Sequence, residues 1–424
     1  MKTPVERFGV IADDLTGAMD AGAGFAVKGL NTIVIFGDSP IPEATVAVVS
    51  TDSRVVASLT AYQKVQKEAR KLAGLYVYKK IDSTLRGNIG QELRAVMDAL
   101  GTEKAVVSPA FPDNKRSVVG GRLLVDNVPV DKTSFVEDPV SPVTEAHIPT
   151  LLYKQGGFEV GSIGLDDVEK GPSYIGRQIL NNKHRVIVID AVEQVHLKYI
   201  AEALAMGSSS WLPCGSAGLA MELPLAFGYK QREMEPVEPM VSGKPVLIVV
   251  GSRHETSVRQ IRMAETHLGL SLIPVEPGEF VRRQGRLARE GQLAREVGEF
   301  LRCGRNVIIT SAFSQYMPIL KGTIARILAE IAVRAVRQRE VAGLVLTGGD
   351  VAREICEALS VNGIKILREL EPGVVVGEMM GGIKEGLKII TKAGGFGSDE
   401  AIVEAICYLG RNERWNREVS PCSA

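Results

Sequence analysis

The chain has 424 residues, 45% hydrophobic and 24% charged, an ordinary balance for a soluble globular protein and enough length for two or three domains. Fifty basic residues offset fifty acidic ones, so no overall field favours nucleic acid or an anionic membrane surface, and the expected ligand is small. The five cysteines, Cys214, Cys303, Cys356, Cys407 and Cys422, are odd in number and lack metal-ligand spacing. With no secretion signal and no apolar run of about 18 residues, they predict a protein of the reducing cytoplasm without a zinc site.

In chain order, Arg7 to Ala12 reads as a buried strand, and Asp13-Asp14-Leu15-Thr16-Gly17 turns into a helix over Ala18 to Lys28. In the run Gly17 to Gly24 each glycine interior to the helix costs about 1 kcal/mol, which implies close approach to its backbone. One of Asp13 and Asp14 suffices as a helix cap. The other can act as a general base toward a hydroxyl, or hold a metal through water. Thr32 to Phe36 and Thr45 to Ser50 read as strands, the second entering the polar loop Thr51-Asp52-Ser53-Arg54. Leu59 to Leu72 has helical spacing. A strand over Gly74 to Tyr78 then meets Lys79-Lys80-Ile81-Asp82-Ser83-Thr84-Leu85-Arg86-Gly87-Asn88, followed by a helix over Ile89 to Leu100. Charge concentrated where a strand meets a helix marks the ligand edge of an open α/β sheet. Arginine there can grip a carboxylate bidentately, while Asp82 and Ser83 suit sugar hydroxyls.

Ala105 to Ser108 is another strand, leading to the stiff Pro109-Ala110-Phe111-Pro112 loop and to Arg116. A hairpin is predicted around Asp126-Asn127, and Asp138-Pro139-Val140-Ser141-Pro142 is a second stiff connection. Strand Arg185 to Asp190 and a helix over Gln194 to Met206 close the first half. Gly228 to Lys244, with Pro236 and Pro239, has linker composition.

The second half repeats one scheme three times: Val246 to Val250 before Gly251-Ser252-Arg253-His254, Leu344 to Thr347 before Gly348-Gly349-Asp350-Val351, and Ile389 to Lys392 before Gly394-Gly395-Phe396-Gly397. Glycine turns at strand ends present bare N–H groups to a phosphate or ribose, and Lys392 adds charge. His254 is expected to be an ordinary helix-start residue. A strand over Asn306 to Thr310 and a helix over Ile319 to Val336 lie between. Neither the P-loop nor the dinucleotide fingerprint is present, which argues against an NAD-dependent dehydrogenase.

Asp13-Asp14-Leu15-Thr16-Gly17-Ala18, Lys79 through Asn88, Pro109-Ala110-Phe111-Pro112, Thr347-Gly348-Gly349-Asp350 and Lys392 through Gly397 together resemble the four-carbon acid sugar kinase family. The resemblance implies two α/β domains, each with a largely parallel sheet flanked by helices, and a ligand cleft between them. Residues 1–230 would bind a sugar acid such as threonate, erythronate or a 3-oxo-tetronate, and 231–424 would bind ATP. It places Asp13, Arg54, Lys80 and Arg86 at the acid, and Ser252, Gly348, Gly349, Asp350, Gly394 and Gly395 at the nucleotide. Two positions depart from the family: Val351 stands where Thr or Ser is usual, and Lys115 where Gly is usual. The expected reaction is in-line phosphoryl transfer to the terminal hydroxyl, with Asp13 or Asp14 as base and Mg²⁺ and Lys392 offsetting charge. Lys79, Asp82, Ser83 and Arg116 are further candidates for the acid, and Val351 and Gly397 for the nucleotide. The metal ligands, the acid itself and the assembly state, a homodimer among the options, stay open. A sensor that binds without turnover, or a kinase for another hydroxy acid, is the alternative.

Overall fold

Runs of Val, Ile and Ala with no polar alternation, such as Phe8–Ala12 and Val246–Val250, are buried along their whole length, as strands covered by helices on both faces must be. The computed structural model describes residues 6–410 apart from 38, 139, 208–210, 231–241, 282–284, 315–316, 318–319 and 321. Two compact units divide the chain, residues 1–233 and 234–424. Most of the expected linker, including Pro236 and Pro239, lies outside the described residues. Among the described residues no helix is long and apolar enough to cross a membrane.

The strands of the first unit are β1 (Phe8–Ala12), β2 (Thr32–Ile35), β3 (Val46–Ser50), β4 (Tyr76–Lys80), β5 (Lys104–Ser108), β6 (Arg116–Val119), β7 (Arg122–Val125), β8 (Val128–Pro129), β9 (Val160–Ile163), β10 (Val186–Ile189) and β11 (Trp211–Gly215). A parallel sheet runs in the order β2-β3-β1-β4-β11-β5-β10-β9, and β6-β7-β8 form a small antiparallel sheet. The turn between β7 and β8 is Asp126-Asn127, both with positive φ, the hairpin geometry that those residue types favour. From β1 the chain passes to β2 on one side, and from β4 to β5 on the other. Adjacent strands whose connections diverge leave a crevice beyond their carboxyl ends. At the opposite strand ends Phe8 packs its ring against Phe25, Tyr76, Phe227 and Tyr229 at 5.2 to 6.0 Å. That cluster anchors the sheet's amino edge and leaves the carboxyl edge to polar loops.

In the second unit, β12 (Val246–Val250), β13 (Ser271–Pro274), β14 (Val307–Thr310), β15 (Gly343–Thr347), β16 (Gly363–Glu371), β17 (Val374–Met380) and β18 (Lys388–Lys392) stand in the order β13-β14-β12-β15-β18-β17-β16. The sheet is parallel from β13 to β18, and β17 and β16 continue it antiparallel. Connections diverge again, between β12 and β15. The core is aliphatic, with Ile248, Val250, Val345 and Ile390 packed against Ile402 and Ile406 of the helix Ala401–Leu409.

Several boundaries differ from the sequence expectation. The first helix begins at Leu15, not Ala18, because Asp14 caps it by accepting from the Gly17 N–H. Strand β4 continues through Lys80 rather than ending at Tyr78. The helix expected from Ile319 is Thr323–Gln338, Ile319 itself lying outside the described residues. Strands β6, β9, β11, β13, β16 and β17 were not anticipated.

Candidate active site

Because β4 runs through both lysines, they point to opposite faces of the sheet. Lys79 turns inward, its Nζ 2.7 Å from Glu92 Oε2, with side chains 0% and 1% exposed. Glu92 Oε1 also accepts from Ser53 Oγ at 2.7 Å, and Ser53 pairs with Thr51 at 2.7 Å. Lys79 therefore braces the loop that carries Arg54; it does not face a ligand as the sequence reading expected. Lys80 lies on the other face, beside the helix Leu15–Ala26. A Cβ on Gly17 would lie 2.9 Å from Lys80 Nζ and 2.5 Å from Asp14 Oδ1, so glycine leaves room for that ammonium at the helix start.

Arg54 joins the loops. Its Nε and Nη2 donate to the two oxygens of Asp13 at 2.6 and 3.0 Å, its Nη1 lies 2.8 Å from Asp14 Oδ2, and its Nη2 lies 3.6 Å from Asp82 Oδ1. Arg86 takes Asp82 bidentately, with Nε and Nη2 each at 3.0 Å. Asp82 also accepts from the Thr84 hydroxyl and from the Arg86 N–H. Arg86 is held further by Asp138 at 3.5 Å and by the Phe135 ring at 5.6 Å. Ser83 is buried in the same loop. Arg116 enters from β6, within electrostatic reach of Asp82 and Arg86, and burial lowers its pKa. The hairpin bearing it is tied to the sheet through Asp190, whose carboxylate accepts from the Gly120 and Gly121 N–H groups at 2.6 and 2.9 Å.

Each of the three arginines closely follows a non-glycine residue with positive φ: Asp52 (46°) before Arg54, Leu85 (63°) before Arg86, and Lys115 (57°) before Arg116. Such conformations cost about 1–2 kcal/mol apiece and persist where packing over-determines them. Lys115 thus keeps a backbone that suits the glycine usual in the resembling family. Burial pushes the Asp13 and Asp82 carboxyls up, but Arg54 with the lysines around Asp13, and Arg86 with Arg54 around Asp82, hold both below the ordinary range.

Sequence reasoning missed Asp20. It is the one ionisable residue of the helix Leu15–Ala26, half-buried, and its neighbours in charge are Lys80, Asp14 and Asp82. A single acid in a helix otherwise made, beyond Thr16, of Ala, Gly and bulky apolar residues was the available signal.

In the second unit the three glycine turns split by role. Gly348, with φ +99°, precedes the helix Gly349–Ala358. A Cβ on Gly394 would meet Ser252 Oγ at 2.0 Å, and one on Gly395 would meet His254 Nε2 at 3.2 Å. Only Gly397 of that run uses positive φ, at 78°; Gly394 and Gly395 are there for close approach. Gln260 Nε2 donates to the carbonyls of Phe396, Gly397 and Ser398, and Ser257 Oγ to that of Gly394, which pins the run over the turn after β12. His254 caps its helix, Nδ1 accepting from the Thr256 N–H at 3.2 Å. Val351 is buried with a methyl 2.4 Å from where a Gly251 Cβ would lie, so its side chain packs inward. Asp350 is exposed in the first turn of its helix. Lys392 is buried at the end of β18, donating to the Ala393 carbonyl at 3.1 Å. Burial lowers its pKa to about 7, with Glu371 opposing.

The cationic, hydroxyl-bearing strand ends thus lie on one α/β unit, and the glycine turns with a buried lysine lie on the other. Residues 8–223 match the sugar-binding N-terminal domain family, and 247–402 the nucleotide-binding C-terminal domain family. The chain is 33% identical to a D-threonate kinase of Bordetella bronchiseptica, over 94% of this chain and 96% of that protein. It is 31% identical to a D-erythronate kinase of Heliobacterium modesticaldum, over 94% and 96%. A solved Salmonella typhimurium LT2 structure, described as a tRNA synthase, shares the fold with a TM-score of 0.78 at 24% identity, over 94% of this chain and 98% of that one. The chain belongs to the four-carbon acid sugar kinase family, and it is a kinase.

Proposed function

We propose that the protein transfers the γ-phosphoryl group of ATP to the terminal 4-hydroxyl of a four-carbon sugar acid of the threonate or erythronate type. The observation that carries this reading is the convergence of Arg54, Lys80, Arg86 and Arg116 on Asp13 and Asp82 at the diverging strand ends. A carboxylate substrate competes for those cations, and Asp82, Ser83 and Thr84 offer acceptors and donors to its hydroxyls. The relatives named as kinases of such acids support the same class. A phosphate chain fits the backbone bared at Gly348, Gly349, Gly394, Gly395 and Gly397, with Ser252 beside it and Lys392 as the counter-charge.

Magnesium commonly binds through one or two carboxylates plus substrate phosphates. Asp350, exposed beside the Gly348 turn, fits that donor set, and the ion would neutralise phosphate charge. Among the described residues no cluster of three or more His, Cys, Asp or Glu could hold a metal unaided, in keeping with a metal that arrives with its nucleotide. Val351 contributes packing, not a hydroxyl. In-line transfer needs the acceptor oxygen beside the γ-phosphorus, so both ligands must be held together during turnover.

The test is ADP release with ATP and Mg²⁺ against D- and L-threonate, D- and L-erythronate and 3-oxo-tetronates. Turnover on one of them, lost on omission of Mg²⁺, is the expected result. Nucleotide binding with silence across the panel would move the acceptor to another hydroxy acid.

A further inference from the structure

Three carboxylates crowd the start of the first helix, and their bonding separates them. Asp13 receives both prongs of Arg54 at 2.6 and 3.0 Å. Asp14 caps the helix through the Gly17 N–H at 2.8 Å, accepts from Thr16 Oγ1 at 2.9 Å, and meets Arg54. A carboxylate so occupied positions other groups and is poorly placed to take up a proton. Asp20 stands apart: among the described residues its carboxylate makes no hydrogen bond and no ion pair, although it is half-buried. It lies one turn beyond Gly17, on the helix face where Lys80 is admitted.

We infer that Asp20, rather than Asp13 or Asp14, is the general base that accepts the proton of the substrate's terminal hydroxyl. This rests on the kinase reading above. In the step, the hydroxyl oxygen forms a bond to the γ-phosphorus of ATP, and the bond from that phosphorus to the β,γ-bridging oxygen breaks with its electron pair leaving on ADP. The hydroxyl proton passes to an Asp20 carboxylate oxygen. Burial raises the pKa of Asp20 to about 6; Lys80 pulls it down, and Asp14 and Asp82 add to the rise. From the elements packed against the helix, the ionisable groups facing Asp20 are Lys80 and Tyr78 of β4, Asp14 at the helix start and Asp82 in the loop after β4; the helix Ala217–Ala220 supplies none. A carboxylate in this range is ionised at neutral pH and still basic enough to assist, which the depressed Asp13 is not.

The test is the pH dependence of steady-state turnover for the wild type, Asp20→Asn and Asp20→Glu on the acid that the panel identifies. Wild-type kcat is expected to rise with pH along a limb centred near 6. Asp20→Asn is expected to lose about 10²-fold or more in kcat, with KM for the acid within threefold and the limb gone, while Asp20→Glu regains part of the rate with a displaced limb. Asp20→Asn turnover within threefold of wild type, or an Asp20→Asn profile that keeps the limb, overturns the assignment. Should Asp20→Asn not fold, a wild-type profile flat between pH 5 and 7 overturns it as well. Absence of wild-type turnover on every acid of the panel instead counts against the four-carbon acceptor proposed above, so the two failures are distinguishable.

Discussion

Two adjacent lysines illustrate how much a one-residue change of face decides. Lys79 and Glu92 form a buried ion pair at 2.7 Å, and removing one partner strands a charge in the interior. Glu92→Gln is expected to destabilise the protein by about 3 kcal/mol in urea unfolding. The double variant Lys79→Met with Glu92→Leu should recover most of that, and its folded fraction should keep KM for the acid within threefold. Lys80→Met should do the reverse, with little loss of stability and a KM raised at least tenfold. Equal KM effects from both lysines would contradict the assignment of Lys79 to the interior. Lys392 supplies a proton signature. With a pKa near 7 in the free protein, it is mostly neutral at pH 8, and a bound phosphate chain favours the ammonium. Nucleotide binding at pH 8 should therefore take up close to one proton, read from the buffer dependence of the calorimetric enthalpy, and affinity should weaken as pH rises above 7. Binding without proton uptake would place Lys392 away from the phosphates.

Among the elements, strand ends were legible in the sequence and face assignments were not. The runs Phe8–Ala12, Val246–Val250 and Gly343–Thr347 announce themselves as apolar or nearly apolar segments before a glycine or acidic turn, and the helices Ile89–Leu100 and Gln194–Met206 match their expected bounds. Strands β16 and β17 were hidden because this antiparallel pair carries charged residues such as Lys365, Arg368 and Glu378 among its apolar ones. Strand β11 was hidden by Pro213 and Gly215, which a sequence reading takes for a turn. The glycine run after β18 reads in the sequence as bare backbone for a phosphate, and the structure adds that Gly394 is required by contact. Gly394→Ala would drive a methyl into Ser252 Oγ, 2.0 Å from the new carbon, and should weaken nucleotide binding at least tenfold with acid binding unchanged. In the loop before β6, Lys115→Gly relieves a left-handed residue and should stabilise the protein by about 1 kcal/mol in thermal or urea unfolding. A destabilised Lys115→Gly would show that the exposed Lys115–Asp126 contact, at 3.4 Å, outweighs the backbone term.

For the whole molecule, the division into two compact units, each carrying one set of candidate ligand residues, predicts separable ligand binding. Arg86→Gln should raise the dissociation constant of the acid and leave that of ADP within twofold, and Lys392→Met should do the opposite. On the proposed function, those two bindings join in one reaction at one hydroxyl. Phosphorus NMR of the product tests it most directly, because a phosphate on the terminal carbon couples to two protons of a CH₂ group and one on an internal carbon couples to a single proton. The expected product is a new phosphomonoester, formed in step with ADP from a threonate or erythronate and coupled to two protons. A single-proton coupling, or no phosphomonoester from any four-carbon acid, would contradict it.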